Sequence, residues 1–139
     1  MGSHILQVKS EIGRLKKVLL HRPGRELERL TPELLKRLLF DDIPYLKAAA
    51  EEHDAFARLL RENEIEVVYM EDLMVETLKN NGKKDKFIDQ FLAETDISSD
   101  EKLYFLKNYL NSLDIKKLVK TTMEGLSKED IPNFKEKTL

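Results

Sequence analysis

The chain has no cysteine among its 139 residues, so it can form no disulfide and can offer no thiolate ligand to a metal. No apolar run approaches the roughly 20 residues that a helix needs to cross a bilayer. The amino terminus lacks the basic and then apolar pattern that is typical of a secretory signal. A glycine-rich phosphate loop and a Ser-His-Asp arrangement are also missing. We therefore expect a cytoplasmic protein without a disulfide framework or a membrane span.

Neither sign of charge is in large excess. The 24 basic and 26 acidic side chains are interspersed and leave a formal charge of -2. Nucleic-acid binding requires a basic face, yet the pair Lys83-Lys84 is followed at once by Asp85. We expect no nucleic-acid partner and no membrane partner. The chain does contain enough apolar material, at 41%, for one folded domain or two small subdomains.

Residues 1–72 show the pattern of an α/β unit. Leu15 to Leu20 is predicted to be a strand, and the Pro23-Gly24 turn signal after it combines a fixed φ with a glycine that accepts positive φ. Ile65 to Met70 is rich in β-branched residues and is predicted to be a second strand. The helical pattern between the strands predicts a crossover that lets the second strand pair beside the first.

Two helices are predicted between these strands. The first starts at the cap Thr31 and reaches about Leu38, with a proline in its first turn. The second is predicted to run from Ile43 or Pro44 to Glu62. Asp42 is expected to cap its start, and Asn63 suits a left-handed residue at its end.

Residues 73–139 show helical periodicity in place of β-branched alternation. Ser98 with Glu101 is predicted to form a capping box for a helix with one leucine face. The other boundary signals are Asn81-Gly82, Asp114, Gly125, and the pair Ser127 and Asp130. Short amphipathic helices bury their apolar stripes only by packing together, so we predict a small helical bundle followed by a frayed polar tail.

The histidines offer limited chemistry. His53 lies seven residues after Leu46 and seven before Leu60, which places its imidazole on the apolar face of the helix and favours core packing over catalysis. A Glu-x-x-His metal pair would need an acid at Ala50, so this motif fails. His21 follows a strand end, from which a side chain can reach a site. The interpretation that we favour is a surface imidazole bonded to a neighbouring carbonyl.

The connector between the two predicted helices has two features of interest. Asp41-Asp42 can attract a cationic guanidinium, but helix capping is the favoured explanation for these carboxylates. The apolar run Leu38-Leu39-Phe40 either plugs a core or covers a pocket, and the residues alone leave both options open. Several mixed charges nearby are interpreted as a solvated helix surface, namely Arg25, Glu26, Glu28, Arg29, Glu33 and Arg37.

A set of short motifs in fixed order carries a stronger signal. They are Ser10-Glu11-Ile12-Gly13, the strand Leu15 to Leu20, His21-Arg22-Pro23-Gly24, Glu26-Leu27, Leu30 with Pro32, Leu38 to Pro44, Glu52-His53 with Phe56, and Ile65-Glu66-Val67 with Tyr69. Together they resemble the amino-terminal part of bacterial arginine deiminases, from about Ser10 through Asp72. The helical half is similar in pattern to the helical insertion of this family, although its motifs are less specific.

The resemblance implies a fold and an activity. The expected fold class is α/β: the first part of a pentein propeller, followed by an inserted all-helical bundle, with the chain mostly helical overall. The implied activity converts L-arginine to L-citrulline and ammonia without a metal or organic cofactor. In the family a cysteine thiolate attacks the guanidinium carbon, a histidine moves protons, and two carboxylates hold the guanidinium nitrogens. These groups lie beyond the helical insertion, so we expect no catalytic residue and no metal ligand in this chain.

Leu39 is the substrate-binding residue that the resemblance implies. It matches the second leucine of the Leu-Leu-Phe-Asp-Asp pattern, and the connector that carries this pattern acts in the family as a gate over the substrate. By this resemblance Leu39 looks like the residue that covers bound arginine and excludes water.

Three functional hypotheses follow. The first is the amino-terminal portion of an arginine deiminase, inactive alone, whose partners are the remaining carboxyl-terminal propeller and a second copy in a homo-oligomer. The alternative is a non-catalytic helical interaction or regulatory module derived from a deiminase. A related amidinotransferase or dimethylarginine hydrolase shares the fold, but the long helical insertion disfavours it.

Overall fold

The computed structural model describes residues 8, 10–38, 41–79, 82–127 and 130–131. These residues form a mostly helical structure with one small parallel sheet, as predicted. In chain order the elements are β1 (Lys17–Leu20), a 3₁₀ turn (Leu27–Arg29), α1 (Pro32–Leu38), α2 (Leu46–Glu62), β2 (Glu66–Tyr69), α3 (Met70–Lys79), α4 (Lys83–Ala93), α5 (Asp100–Ser112) and α6 (Ile115–Glu124). In the ranges given, every helix is too short or too polar to cross a membrane.

The sheet consists of β1 and β2, which pair in parallel. Val18 lies opposite Val67, so the β-branched residues that predicted the second strand pack on the first. Both strands are shorter than predicted, with four residues each. An ion pair of 2.7 Å between Lys17 Nζ and Glu66 Oε1 lies where the pairing begins. The predicted parallel pairing is confirmed.

The start of α2 differs from the prediction. The helix begins at Leu46 rather than at Ile43 or Pro44, and its N-cap is Tyr45, whose side chain makes no capping bond. Asp42 is not the cap, because its Oδ1 accepts a hydrogen bond of 2.7 Å from the amide of the adjacent Ile43. A residue that precedes proline avoids the helical region, so Ile43 cannot easily begin a helix at this point.

The end of α2 also corrects the prediction. Asn63 is not left-handed, and its side-chain amide donates to Leu59 O at 2.8 Å. The left-handed residue is Glu64, with φ 61°. The amides of Glu64 and Ile65 donate to the carbonyls of Arg61 and Leu60, which is the paired arrangement of a Schellman motif. The predicted motif is present, but one residue later than expected.

The helices from α3 to α6 pack around one apolar core. Ile88, Leu110, Leu118 and Val119 are its largest fully buried side chains. The other buried members are Leu78, Leu92, Leu106, Leu113 and Ile131. The leucine face predicted for α5 is therefore directed into this core. The placement of a domain boundary at residue 72 stays a prediction. In the structure β2 ends at Tyr69 and α3, which contains residue 72, begins at the next residue.

Capping residues set the limits of α5 and α6. Ser99 caps α5, since its Oγ accepts from the Lys102 amide at 3.4 Å, and the predicted box with Ser98 is wrong by one residue. With Ser99 as the cap, Asp100 and Glu101 both lie in the first turn of the helix, where the helix dipole favours acidic side chains. Asp114 caps α6 by accepting from the Lys117 amide at 3.0 Å, as predicted. Gly125 follows α6 with φ 80°, which confirms its predicted role.

Lys84 connects α4 to the carboxyl end of α5. Its half-buried ammonium donates to the carbonyl oxygens of Asn111 and Leu113, each at 2.7 Å. A cation at this position satisfies carbonyl groups that the helix itself leaves unpaired and lies at the negative end of the helix dipole. Lys84 therefore serves the fold rather than a basic binding surface.

We predict that Lys84→Met lowers the free energy of unfolding by about 1.5–3 kcal/mol, because it removes two charge-assisted hydrogen bonds and leaves the carbonyls unpaired. Urea unfolding followed by circular dichroism measures the change. The matched control is Lys83→Met, since Lys83 is an exposed neighbour in the same helix. Equal effects of the two substitutions would contradict the assigned role of Lys84.

Candidate functional site

Because β1 and β2 are parallel, the residues that follow both strands meet at one edge of the sheet. Ligands of open α/β sheets bind outside the carboxyl ends of the strands, so this edge is the first place to look for a site. We call the polar residues gathered here the strand-end cluster: His21, Arg22, Glu26, His53, Asp54, Tyr69 and Glu71.

His21 lies between two carboxylates. Its Nε2 is 3.1 Å from Oε1 of Glu26, and its Nδ1 is 2.5 Å from Oε1 of Glu71. Both ring nitrogens of His21 therefore lie within hydrogen-bonding distance of a carboxylate oxygen. The favoured interpretation of His21 as an imidazole bonded to a carbonyl is therefore wrong. The sequence pattern could not predict this contact, because Glu71 comes close to His21 only when the two strands pair.

Glu26 is a half-buried acceptor rather than part of a solvated surface. It receives the Gly24 amide at 2.6 Å as well as the bond from His21. Burial raises the pKa of Glu26, but the hydrogen bonds from the Gly24 amide, its own amide and His21 outweigh burial and lower this pKa. One oxygen each of Glu26 and Glu71 is buried without a partner among the described residues.

Gly24 contributes by its small size. A Cβ atom built there would lie 2.7 Å from Oε2 of Glu26, so a larger residue would displace the carboxylate. Its φ is not positive, since Gly82 and Gly125 are the glycines with positive φ in the described ranges. The turn at Gly24 is thus present, but the reason predicted for glycine is wrong.

Arg22 and Asp54 form a two-pronged ion pair. Nε and a terminal nitrogen of Arg22 donate to the two oxygens of Asp54 at 2.8 and 2.9 Å. These hydrogen bonds raise the pKa of the Arg22 guanidinium and lower the pKa of the Asp54 carboxyl. The pair connects the segment after β1 to the middle of α2.

His53 is half-buried on α2, and its Nε2 lies 3.3 Å from the hydroxyl of Tyr69 at the end of β2. The two rings are tilted by 49° with centroids 5.8 Å apart. The guanidinium carbon of Arg61 lies over the Tyr69 ring, 5.8 Å from its centroid. This arrangement agrees with the packing role predicted for His53 and gives the imidazole a polar partner in the Tyr69 hydroxyl.

The predicted lid residue Leu39 lies outside the described residues, so its role stays a prediction. Next to it, Leu38 ends α1 with 47% of its surface exposed. Asp41 and Asp42 are exposed on the other side of the connector. The described neighbours of Leu39 therefore face solvent rather than the core.

A second polar cluster joins the 3₁₀ turn to the segment after α6. A terminal nitrogen of Arg29 donates to Oδ2 of Asp130 at 2.7 Å, and the same oxygen accepts from the amide and hydroxyl of Ser127 at 2.8 and 2.7 Å. The bonds from Ser127, followed by that from Arg29, hold the pKa of Asp130 well below its ordinary value. Arg29 is thus half-buried in an ion pair, and its assignment to a solvated surface is wrong.

We predict that Asp130 makes stability depend on pH. Its folded pKa is below the unfolded value of about 3.9, so its contribution is complete above that value and is lost as pH falls toward the folded pKa. Asp130→Asn should therefore lower the urea midpoint at neutral pH, and the difference from the parent chain should shrink below about pH 5.

Urea titrations at several pH values measure this dependence. Asp96→Asn is the matched control, because Asp96 is an exposed loop carboxylate and should change the midpoint little at any pH. A difference between Asp130→Asn and the parent chain that stays constant down to pH values well below about 3.9 would contradict the prediction.

The strand-end cluster contains groups that bind and orient, but its members are already paired with one another. Both histidines bond to other members of the cluster, and the sequence offers no thiol. In the described part of the chain, no group of three His, Asp or Glu side chains is arranged to hold a metal ion. The observed contacts of the cluster therefore hold the strand ends in position.

The described architecture is that of an α/β unit with a helical bundle attached directly to its second strand. A family model described as arginine deiminase matches residues 36–138. Over 135 residues, or 96% of this chain, the arginine deiminase of Borrelia duttonii (strain Ly) is 51% identical, and that of Streptococcus pneumoniae (strain Hungary19A-6) is 48% identical. The chain belongs to the arginine deiminase family. It spans about a third of the length of these curated relatives, 33% in both cases.

Proposed function

We propose that this chain is the amino-terminal portion of an arginine deiminase, a cytoplasmic enzyme that hydrolyses L-arginine to L-citrulline and ammonia. The observation that supports this most is the identity of about half of the residues to named arginine deiminases over 96% of the chain. The activity belongs to the whole enzyme, because the cysteine-free chain brings no thiolate to attack the guanidinium carbon. Alone, this chain is inactive.

In this proposal the chain supplies scaffold. The sheet is the start of a pentein propeller, and the strand-end ion pairs hold its first strands in register. Within the described residues each strand pairs on one side only, which leaves hydrogen-bonding groups free for a further strand. Apolar side chains around the sheet and α2 are also exposed, including Leu19 at 51% and Leu59 at 56%. Burial of these groups by the rest of the propeller would remove an aggregation hazard.

The second contribution of the chain is a cover for the substrate. We assign Leu39 to this role, since it stands in the Leu-Leu-Phe-Asp-Asp pattern between two helices. An apolar side chain over a bound guanidinium excludes water and strengthens the charge interactions beneath it. Asp42 is already bonded to the Ile43 amide, which favours a positioning role for this carboxylate over direct contact with arginine.

We predict that the chain forms no citrulline from arginine by itself, and that activity appears when it is mixed with the carboxyl-terminal two-thirds of a relative. The measurement is a citrulline assay of the chain, of the carboxyl-terminal piece and of the mixture. Leu19→Asp should abolish the activity of the mixture, because it puts a charge on the exposed face of β1 that must be buried. Tyr104→Asp is the control, since Tyr104 is 71% exposed on α5 in the bundle.

The outcomes separate the hypotheses. Activity of the chain alone would overturn the proposed mechanism. Assembly of the pieces without activity would instead favour the alternative, a regulatory module that binds a deiminase without completing it.

For the lid, we predict that Leu39→Ala in the intact enzyme raises KM for arginine by at least about tenfold, since truncation removes roughly 1.5–3 kcal/mol of apolar contact. Steady-state kinetics and thermal unfolding are measured on the same preparation. Leu38→Ala is the neighbouring control and should change KM little. If Leu39→Ala lowered the unfolding temperature without raising KM, Leu39 would be a core residue instead.

A further inference from the structure

A cleft of about 370 Å³ lies between the 3₁₀ turn and α6. We call it the junction cleft and define it by its charged lining: Arg25, Arg29, Lys117, Lys120, Glu124 and Asp130. Its volume is within the range of pockets that hold small ligands. Basic side chains outnumber acidic ones in this lining by two, although the whole chain carries a formal charge of -2.

The two acids of the junction cleft are already engaged. Asp130 accepts from Ser127 and Arg29 through one oxygen. Glu124 is only 14% exposed, and its Oε1 lies 3.5 Å from the Arg25 amide and 3.8 Å from Lys120 Nζ. Their negative charge is therefore directed to donors in the protein rather than to a cation in the cleft.

The basic side chains of the junction cleft are less completely paired. Lys117 Nζ forms no ion pair with any of the described residues, and Arg25 Nε reaches only Glu28 at 3.6 Å on an exposed surface. Nε of Arg29 is buried and has no acceptor among the residues that the structure describes. An excess of basic side chains around a partly enclosed space produces a positive potential that attracts an anion.

We propose that the junction cleft binds the phosphate group of a small molecule, either free phosphate or a phosphate monoester. Lysine ammonium and arginine guanidinium groups are the common partners of phosphate, and a tetrahedral dianion can accept bonds from several of them at once. Arg25 belongs to the segment after β1, whereas Lys117 and Lys120 belong to α6. A phosphate held by both would stabilise the junction between the sheet and the bundle.

The experiment is a titration of the ¹⁵N-labelled chain with inorganic phosphate, with sodium chloride adjusted to hold ionic strength constant. We expect saturable shifts of the backbone amides of Arg25–Arg29 and Thr121–Gly125. Lys117→Gln should weaken phosphate binding by about tenfold, because it removes one charge-assisted contact. Lys116→Gln is the matched control, since Lys116 is exposed on the same helix and does not line the cleft.

Three results would overturn the proposal: shifts that never saturate, shifts spread over lysines across the surface, or equal weakening by Lys116→Gln and Lys117→Gln. Each would indicate an adventitious ion only. A parallel titration with glycerol phosphate distinguishes the sources. Tighter binding than inorganic phosphate supports a monoester, and weaker binding supports the free ion. Phosphate binding needs no catalytic group, so it can be found or refuted whatever the chain does with arginine.

Discussion

The parallel pairing of β1 with β2 is the constraint on which the remaining structure depends. These strands are separated in sequence by a 3₁₀ turn and two helices, and their register brings the residues after each strand to one edge. This pairing brings His21 to Glu71, and the packing of α2 on β2 brings His53 to Tyr69 at the same edge. The ion pairs and hydrogen bonds at that edge then hold the strand ends, so local and long-range structure support each other.

Features that depend on local chemistry were predictable. The leucine face of α5, the cap at Asp114 and the stop at Gly125 follow from helical period, a side-chain acceptor and a residue tolerant of positive φ. Boundary errors arose where neighbouring residues compete for one role. Ser99 rather than Ser98 caps α5, and Glu64 rather than Asn63 takes the left-handed position. In both cases the motif is correct, and its position is one residue away.

The candidate site was much less accessible to sequence reasoning. Glu26 and Arg29 have the pattern of surface charges, yet each is half-buried. Glu26 is bonded to the nearby His21, and Arg29 is bonded to the distant Asp130. No periodicity encodes a contact between Arg29 and Asp130, because the two residues lie at opposite ends of the described chain. The family resemblance supplied what the local patterns could not, namely membership of the arginine deiminase family.

The direct passage from β2 into α3 has a mechanical consequence. Tyr69 ends the strand and Met70 begins the helix, so no linker residue lies between them to act as a hinge. The ion pair between Arg29 and Asp130 is a second connection, because it joins the 3₁₀ turn after β1 to the segment after α6. It lies far in sequence from the direct connection between β2 and α3. A body attached at two separate points cannot rotate freely about either one. The bundle is therefore held in one orientation relative to the sheet, and a force that displaces the bundle acts directly on the backbone of β2.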